Sequence, residues 1–191
     1  MQYYETTEKS QIGLKRGTVA VEPHKIEWEI AAQKIINKLE NILDDDMIDA
    51  QHIGSTSIKS ICAKPIVDIV VGVSSFDRII KHNEDLRKNG IIYHMQYPLD
   101  QYLYVVDDLE NDIRTHYIHV VIWGQAAWNN YINMRDYLNT HKKEAKEYSE
   151  LKERLAKKYP EDRSAYTNGK SEFIEKILLM AAKWREQREQ I

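Results

Sequence analysis

The chain has 191 residues, 42% of them hydrophobic and 30% charged, with only seven Gly and four Pro, a balance that excludes disordered, collagen-like and low-complexity proteins. Its net charge of −3, with a surplus of just three positive charges over residues 141–191, is too weak an electrostatic footprint for a reader of duplex nucleic acid. The single Cys62 rules out an internal disulfide and a cysteine-rich zinc ribbon, and no run approaches the ~20 apolar residues a membrane helix needs.

The length suits one domain of the usual ~100–200 residues. One unit over 1–191 is therefore expected, with a sheet part at about 18–123 and a helical part at about 125–188. Pro23 is expected in the first turn of a helix whose stripe Trp28, Ala31, Ile35, Leu39 and Ile42 recurs every three or four residues. Asp44, Asp45 and Asp46 end it in a solvated turn. A short strand is expected over 47–53, broken by Gly54-Ser55-Thr56-Ser57. Residues 66–73 are nearly all β-branched, the mark of a central strand buried on both faces. Phe76, Ile79, Ile80, Asn83 and Leu86 keep helical spacing, and Asn89-Gly90 closes that helix. Three further strands are expected at 91–95, 102–106 and 115–123, the last two forming a hairpin through a polar turn at 107–112. From Gln125 onward everything reads as helix, at about 125–139, 142–158 and 162–188, with Pro160 punctuating the last two. The class is α+β, with a helical C-terminal third packed on a sheet.

No P-loop, Gly-x-Gly-x-x-Gly, His-Glu-x-x-His or Gly-x-Ser-x-Gly motif is present, which argues against P-loop enzymes, Rossmann dehydrogenases, zincins and α/β-hydrolases. Attention therefore falls on Asp68, in the middle of the most apolar strand, on one face with Ile66 and Val70. A carboxylate there is either paired with a buried Arg or Lys or is a metal or catalytic group. The turn Gly54-Ser55-Thr56-Ser57 offers three hydroxyls and free amides, the makings of a phosphate cradle or simply an ordinary turn. Together with Lys64 and Asp68 it brings phosphate donors, a cation and a Mg²⁺ carboxylate within fifteen residues.

His119 shares a strand face with Tyr117 and Val121 while His116 points the other way, so the two do not chelate one ion as a pair. His119 stands beside Asp68 if their strands are neighbours with matching faces. Arg135 and Lys170 interrupt apolar helical stripes, the latter between Tyr166 and Phe173. Such cations either snorkel to solvent or point into a shared anion-binding cleft. The twelve tyrosines against two phenylalanines suit such a cleft: Tyr117, Tyr131, Tyr137 and Tyr166 all lie close in sequence to these residues.

His52-Ile-Gly-Ser-Thr-Ser57, Ala63-Lys-Pro-Ile-Val-Asp-Ile69, His116-x-x-His119, Arg135-Asp-Tyr-Leu138, Tyr148-x-x-Leu-Lys152 and Tyr166-Thr-x-x-Lys-x-x-Phe173 occur in order over roughly 18–182. Together they resemble the GrpB-like proteins, which are similar to the polymerase-β-type nucleotidyltransferase superfamily. The resemblance implies a small mixed β-sheet flanked by helices, a Gly-Ser element at Gly54 and Ser55, and Asp68 as the first of an Asp-x-Asp pair. This sequence departs from that pattern at the second carboxylate, which is Val70, and His119 occupies the strand of a third.

The implied activity is Mg²⁺-dependent transfer of a nucleotidyl group from a nucleoside triphosphate to an unknown acceptor. Asp68 and His119 would hold the metal, with His119 or His52 as base. Gly54, Ser55, Thr56, Ser57, Lys64, Arg135, Tyr166 and Lys170 would bind the nucleotide and its phosphates. The alternative is a catalytically degenerate module that binds a nucleotide or another phosphorylated small molecule. The polar N-terminus, without a signal-peptide core, leads us to expect a cytoplasmic protein with no membrane partner.

Overall fold

In the computed structural model, which describes residues 12–97 and 101–189, the first apolar stripe forms a helix, α1 (Ile26–Leu43). Pro23 precedes it rather than opening it: Lys25 is the N-cap, in extended conformation. A two-residue strand, β1 (Leu14–Lys15), comes before α1, and β2 (Asp49–Ile53), β3 (Val67–Val73), β4 (Ile92–Tyr97), β5 (Gln101–Asp108) and β6 (Ile113–Ile122) follow it. The sheet runs β2-β3-β6-β5-β4, with β1 pairing the start of β6. Only β3 and β6 are parallel, so the sheet is mixed. The β5–β6 hairpin turns over Leu109–Asp112, and Asp107 and Asp108 belong to the strand rather than to the turn.

Alternation along β3 divides the interior. Val67, Ile69, Val71 and Val73 pack on Trp28, Ala32, Ile35 and Leu39 of α1. Val70, facing the other way, packs with Ile53, Val121 and Trp128, where α4 (Ala126–Thr140) covers the sheet. All of β3 is buried except Asp68, whose side chain is 28% exposed because it opens onto a cleft.

Two predicted helices are broken. The helix expected from Phe76 to Asn89 is two short ones, α2 (Phe76–Ile80) and α3 (Asn83–Lys88), interrupted at Lys81 and His82. Asp46 accounts for the interruption, accepting from Arg78 at 2.6 Å, Lys81 at 2.5 Å and His82 at 2.8 Å. Those bonds hold its carboxyl far below the usual range, so the acidic triplet is no merely solvated turn. After α5 (Lys142–Lys158) the last predicted helix is likewise split, into α6 (Arg163–Asn168) and α7 (Ser171–Glu189). At the break, a Cβ on Gly169 would lie 2.6 Å from Leu155 Cδ2, so the joint packs closely on α5. A second core joins α4, α5 and α7 to the loop before β3, through Ile58, Ile61, Leu138, Tyr148 and Ile177. Among the described residues, no helix is long and apolar enough to cross a membrane.

Candidate functional site

The Asp68 end of β3 opens into a two-lobed cleft. One lobe, of about 230 Å³, is walled by Ile53, Ile58, Met134 and Ile174, with Tyr131 and Tyr148 above them. The other, of about 510 Å³, is lined by Lys64, Tyr117, Arg163, Tyr166 and Lys170 and reaches His94 and Met95 on β4. Ser55, Asp68, His119 and Lys170 belong to both, so the lobes are one continuous site.

Topology explains the pairing of Asp68 and His119. In the parallel β3–β6 ladder Asp68 stands opposite Tyr117 and Val70 opposite His119, so the four share a face. The carboxylate Oδ1 lies 3.6 Å from His119 Nε2. Tyr131 donates its hydroxyl to Gln101 Oε1 at 2.8 Å and stands 3.1 Å from His119 Nδ1. With that donation made, Nδ1–H donates to Tyr131, and Nε2 is the nitrogen presented to Asp68. The Tyr131 contact thereby fixes the imidazole orientation at Nδ1.

Gly54 is required by both backbone and space. Its φ of 70° and ψ of −169° lie in a region open essentially to glycine. A Cβ there would meet Asp68 Oδ2 at 2.5 Å. Gly54→Ala is therefore expected to lose roughly 2 kcal/mol in urea unfolding and to displace the Asp68 carboxylate. A variant within 0.5 kcal/mol of wild type would show that the close approach is dispensable.

The rest of the Gly-Ser turn is not a triple-hydroxyl cradle. Ser55 and Tyr148 both face the cleft. Burial pushes Tyr148 up to about 12. Thr56 is 1% exposed and bonds His52 Nε2 at 2.8 Å, while Ser57 donates to the Gly54 carbonyl at 2.7 Å. His52 lies opposite Ile69 on the α1 face of the sheet, so it cannot serve as a base beside Asp68. Arg135 walls the smaller lobe, but its guanidinium is committed: it donates to Gln51 Oε1 at 2.7 Å, to the His52 carbonyl at 3.2 Å and to Asp136 at 2.9 Å. It ties α4 to β2 and is no free phosphate ligand.

The free cations are elsewhere. Lys64 and Lys170 sit over the Tyr166 ring at 5.0 and 4.6 Å. Burial, reinforced by Arg163 and Lys170, lowers Lys64 to about 7. Burial also lowers Lys170, with Asp68 opposing and Arg163 adding to the shift. Arg163 stacks on Tyr117 at 5.4 Å, while Arg114 stacks on the same ring at 5.0 Å. Arg163 Nη2 is buried without a hydrogen-bond partner. The sequence reading passed over Arg163 although a signal was present: three residues before Tyr166 and seven before Lys170, it falls on their helical face.

These side chains are a poor donor set for resident Mg²⁺, which takes oxygen ligands in octahedral geometry. Among the described residues Asp68 is the one carboxylate lining the cleft, and the position of a second, Val70, is fully buried and apolar. Among the described residues, no group of three His, Cys, Asp or Glu is placed to hold an ion.

Comparison with known proteins places this architecture. The profile of the GrpB protein family matches residues 18–179, which is most of the chain. The chain belongs to the GrpB family. It is 40% identical over 170 residues to the glutamate-rich protein GrpB of Alkalihalophilus pseudofirmus, covering 87% of this chain and 98% of that one. The crystal structure of conserved protein GrpB from Enterococcus faecalis superposes with a TM-score of 0.80 at 26% identity, over 87% of this chain and 99% of that one. Terminal uridylyl transferase 4 from Trypanosoma brucei, solved with bound dUTP, aligns with a TM-score of 0.51 at 12% identity, over 87% of this chain and 55% of that one. At that identity the likeness concerns the fold, so this GrpB-family chain has a nucleotidyltransferase-like fold.

Proposed function

We propose that this GrpB-family chain binds a nucleotide or another phosphorylated small molecule in the two-lobed cleft, and that binding rather than nucleotidyl transfer is its function. The observation that carries this reading is that Lys64, Arg163 and Lys170 line one lobe with, among the described residues, a single carboxylate, Asp68. Cations gathered in a partly desolvated cleft repel one another until an anion joins them, and phosphate oxygens suit Arg and Lys alike. The fold, shared with a uridylyl transferase that holds dUTP, makes a nucleotide the first class of ligand to try. Two-metal transfer chemistry, by contrast, needs several carboxylates to hold the ions and activate the acceptor.

Thermal melting against nucleoside mono-, di- and triphosphates, with and without Mg²⁺, tests this reading. A ligand at 100 times its dissociation constant adds about 2.7 kcal/mol, a shift of several degrees for a chain of this size. Lys170→Met is expected to abolish that shift while leaving the unliganded melting temperature within a few degrees of wild type. Absence of a shift with every compound would refute binding. Pyrophosphate release from a triphosphate with Mg²⁺ and an acceptor would replace binding by transfer as the function.

A further inference from the structure

The charge lining the cleft says more about the ligand than that it is phosphorylated. We infer that the ligand is a phosphate monoester bound without a divalent metal, its dianionic phosphate among Lys64, Arg163 and Lys170 and its organic body in the smaller, apolar lobe. This rests on the binding function proposed above and narrows its ligand class.

Among the described residues the larger lobe combines Lys64, Arg163 and Lys170 with one carboxylate, a net of two positive charges when both amines are protonated and the histidines neutral, and an anion placed among them favours that protonated state. A phosphate monoester carries a charge of close to −2 near neutral pH. The cations are also placed to contact phosphate oxygens directly. Arg163 lines this lobe, and its buried Nη2 has no hydrogen-bond partner among the described residues, so the guanidinium is not tied up by a carboxylate of the protein. Tyr166 and Tyr117 hold the three cationic heads by their ring faces, which leaves the N–H groups available to a ligand.

A divalent ion has no comparable place. Beside Asp68 stand His119 Nε2, at 3.6 Å, and the Lys170 ammonium, whose protonated form Asp68 favours. Asp68 is the one carboxylate the described residues offer there, and it already faces an imidazole and the positive charge of Lys170. Val70, where a second would project, is wholly enclosed by Ile53, Val121 and Trp128. The ammonium and guanidinium groups take over the neutralising part that a metal plays elsewhere. In the smaller lobe, Ile53, Ile58, Met134 and Ile174 present an apolar wall next to the hydroxyl-bearing rings of Tyr131 and Tyr148. A flat ring with a few polar edges, such as a nucleobase, fits those surroundings.

The test is calorimetric titration of the full chain with the four common nucleoside 5′-monophosphates, ribose 5-phosphate and ATP, each in EDTA and again in excess MgCl₂. At least one monophosphate should bind in EDTA, with an affinity that changes less than twofold on adding Mg²⁺ and exceeds that of ribose 5-phosphate at least tenfold. Asp68→Asn separates the two modes of neutralisation. Removing its charge should keep or tighten monophosphate affinity, severalfold at most, whereas a metal-mediated site would lose binding. Arg163→Leu should weaken it at least tenfold, and its unliganded melting temperature reports that the fold is intact. ATP binding only with Mg²⁺, or loss of binding in Asp68→Asn, would overturn the metal-free assignment and leave the phosphate-binding function standing. If no compound binds in either medium, that function falls and this assignment with it.

Discussion

Asp107→Ala is expected to lose ~3–5 kcal/mol of stability, the usual effect of removing one member of a buried ion pair. Arg114 is 4% exposed and donates through Nε and Nη2 to both oxygens of Asp107, the second at 3.0 Å. Without the carboxylate the buried guanidinium loses its ion-pair partner, and Arg16, 3.8 Å from Asp107, loses one as well. For a chain of this length the loss corresponds to a fall in melting temperature of roughly 10 °C or more. The pair lies where β5 and β6 shift register between Val106 and Asp107, so the effect is on the hairpin that carries Tyr117 into the cleft. Asp107→Asn, which keeps an acceptor, should lose less. The double variant Asp107→Ala with Arg114→Leu should recover part of the loss, because the orphaned charge is then gone. An Asp107→Ala protein that melts with wild type would show the pair to be stabilising nothing.

The second large effect is a loss of stability in mild acid. Burial depresses His52 and His116 to about 4, against a partial opposing pull from Asp68. The unfolded imidazoles titrate near the ordinary ~6.5. Between those values the unfolded chain binds more protons than the folded one, so stability rises with pH through that window and is lost as pH falls through it. Each histidine contributes up to ~1.4 kcal/mol per pH unit, several kcal/mol in total against the 5–15 kcal/mol of a typical domain. Unfolding by urea at pH 7.0 and 5.0 measures it. His116→Leu should halve the slope, because His116 is 8% exposed with Nε2 buried and unpartnered, and a leucine there has no proton to take up. A stability that is flat from pH 7 to 5 would mean that both rings reach solvent when protonated.

Lys64 and Lys152 extend the trend upward. Burial holds each near 7, with Arg163 and Lys170 adding to the shift at Lys64 and Lys170 adding to it at Lys152. The unfolded amines titrate near 10.4, so these two groups also favour the folded state progressively as pH rises above 7.

Much of this fold is legible in the sequence because its signals are local. The β-branched run ending at Val73 can only be a central strand, and the stripe from Trp28 to Ile42 only an amphipathic helix. The broken helices were illegible for the opposite reason. Asp46 reaches Lys81 and His82 across more than thirty residues, and the joint at Gly169 packs on Leu155 of another helix. The cleft follows the same rule. Strand alternation alone puts His119 on the face of Tyr117, and the resemblance to a family supplies the Gly-Ser turn and Asp68. Which hydroxyls and cations are free is decided by partners distant in the chain. Thr56 is consumed by His52 and Arg135 by Gln51 and Asp136, whereas Arg163, overlooked, is left with a donor to spare.

The Tyr166 ring that both Lys64 and Lys170 approach bears on how fast the cleft fills. A buried phenol 5.0 and 4.6 Å from the two ammoniums gives each a place beside the cleft before any anion arrives. The empty site therefore keeps the spacing it has when occupied, with little rearrangement to wait for at the moment of encounter. Capture of an anion is then governed by diffusion and by the field of the three cations, which quickens it at low ionic strength and slows it as salt screens them.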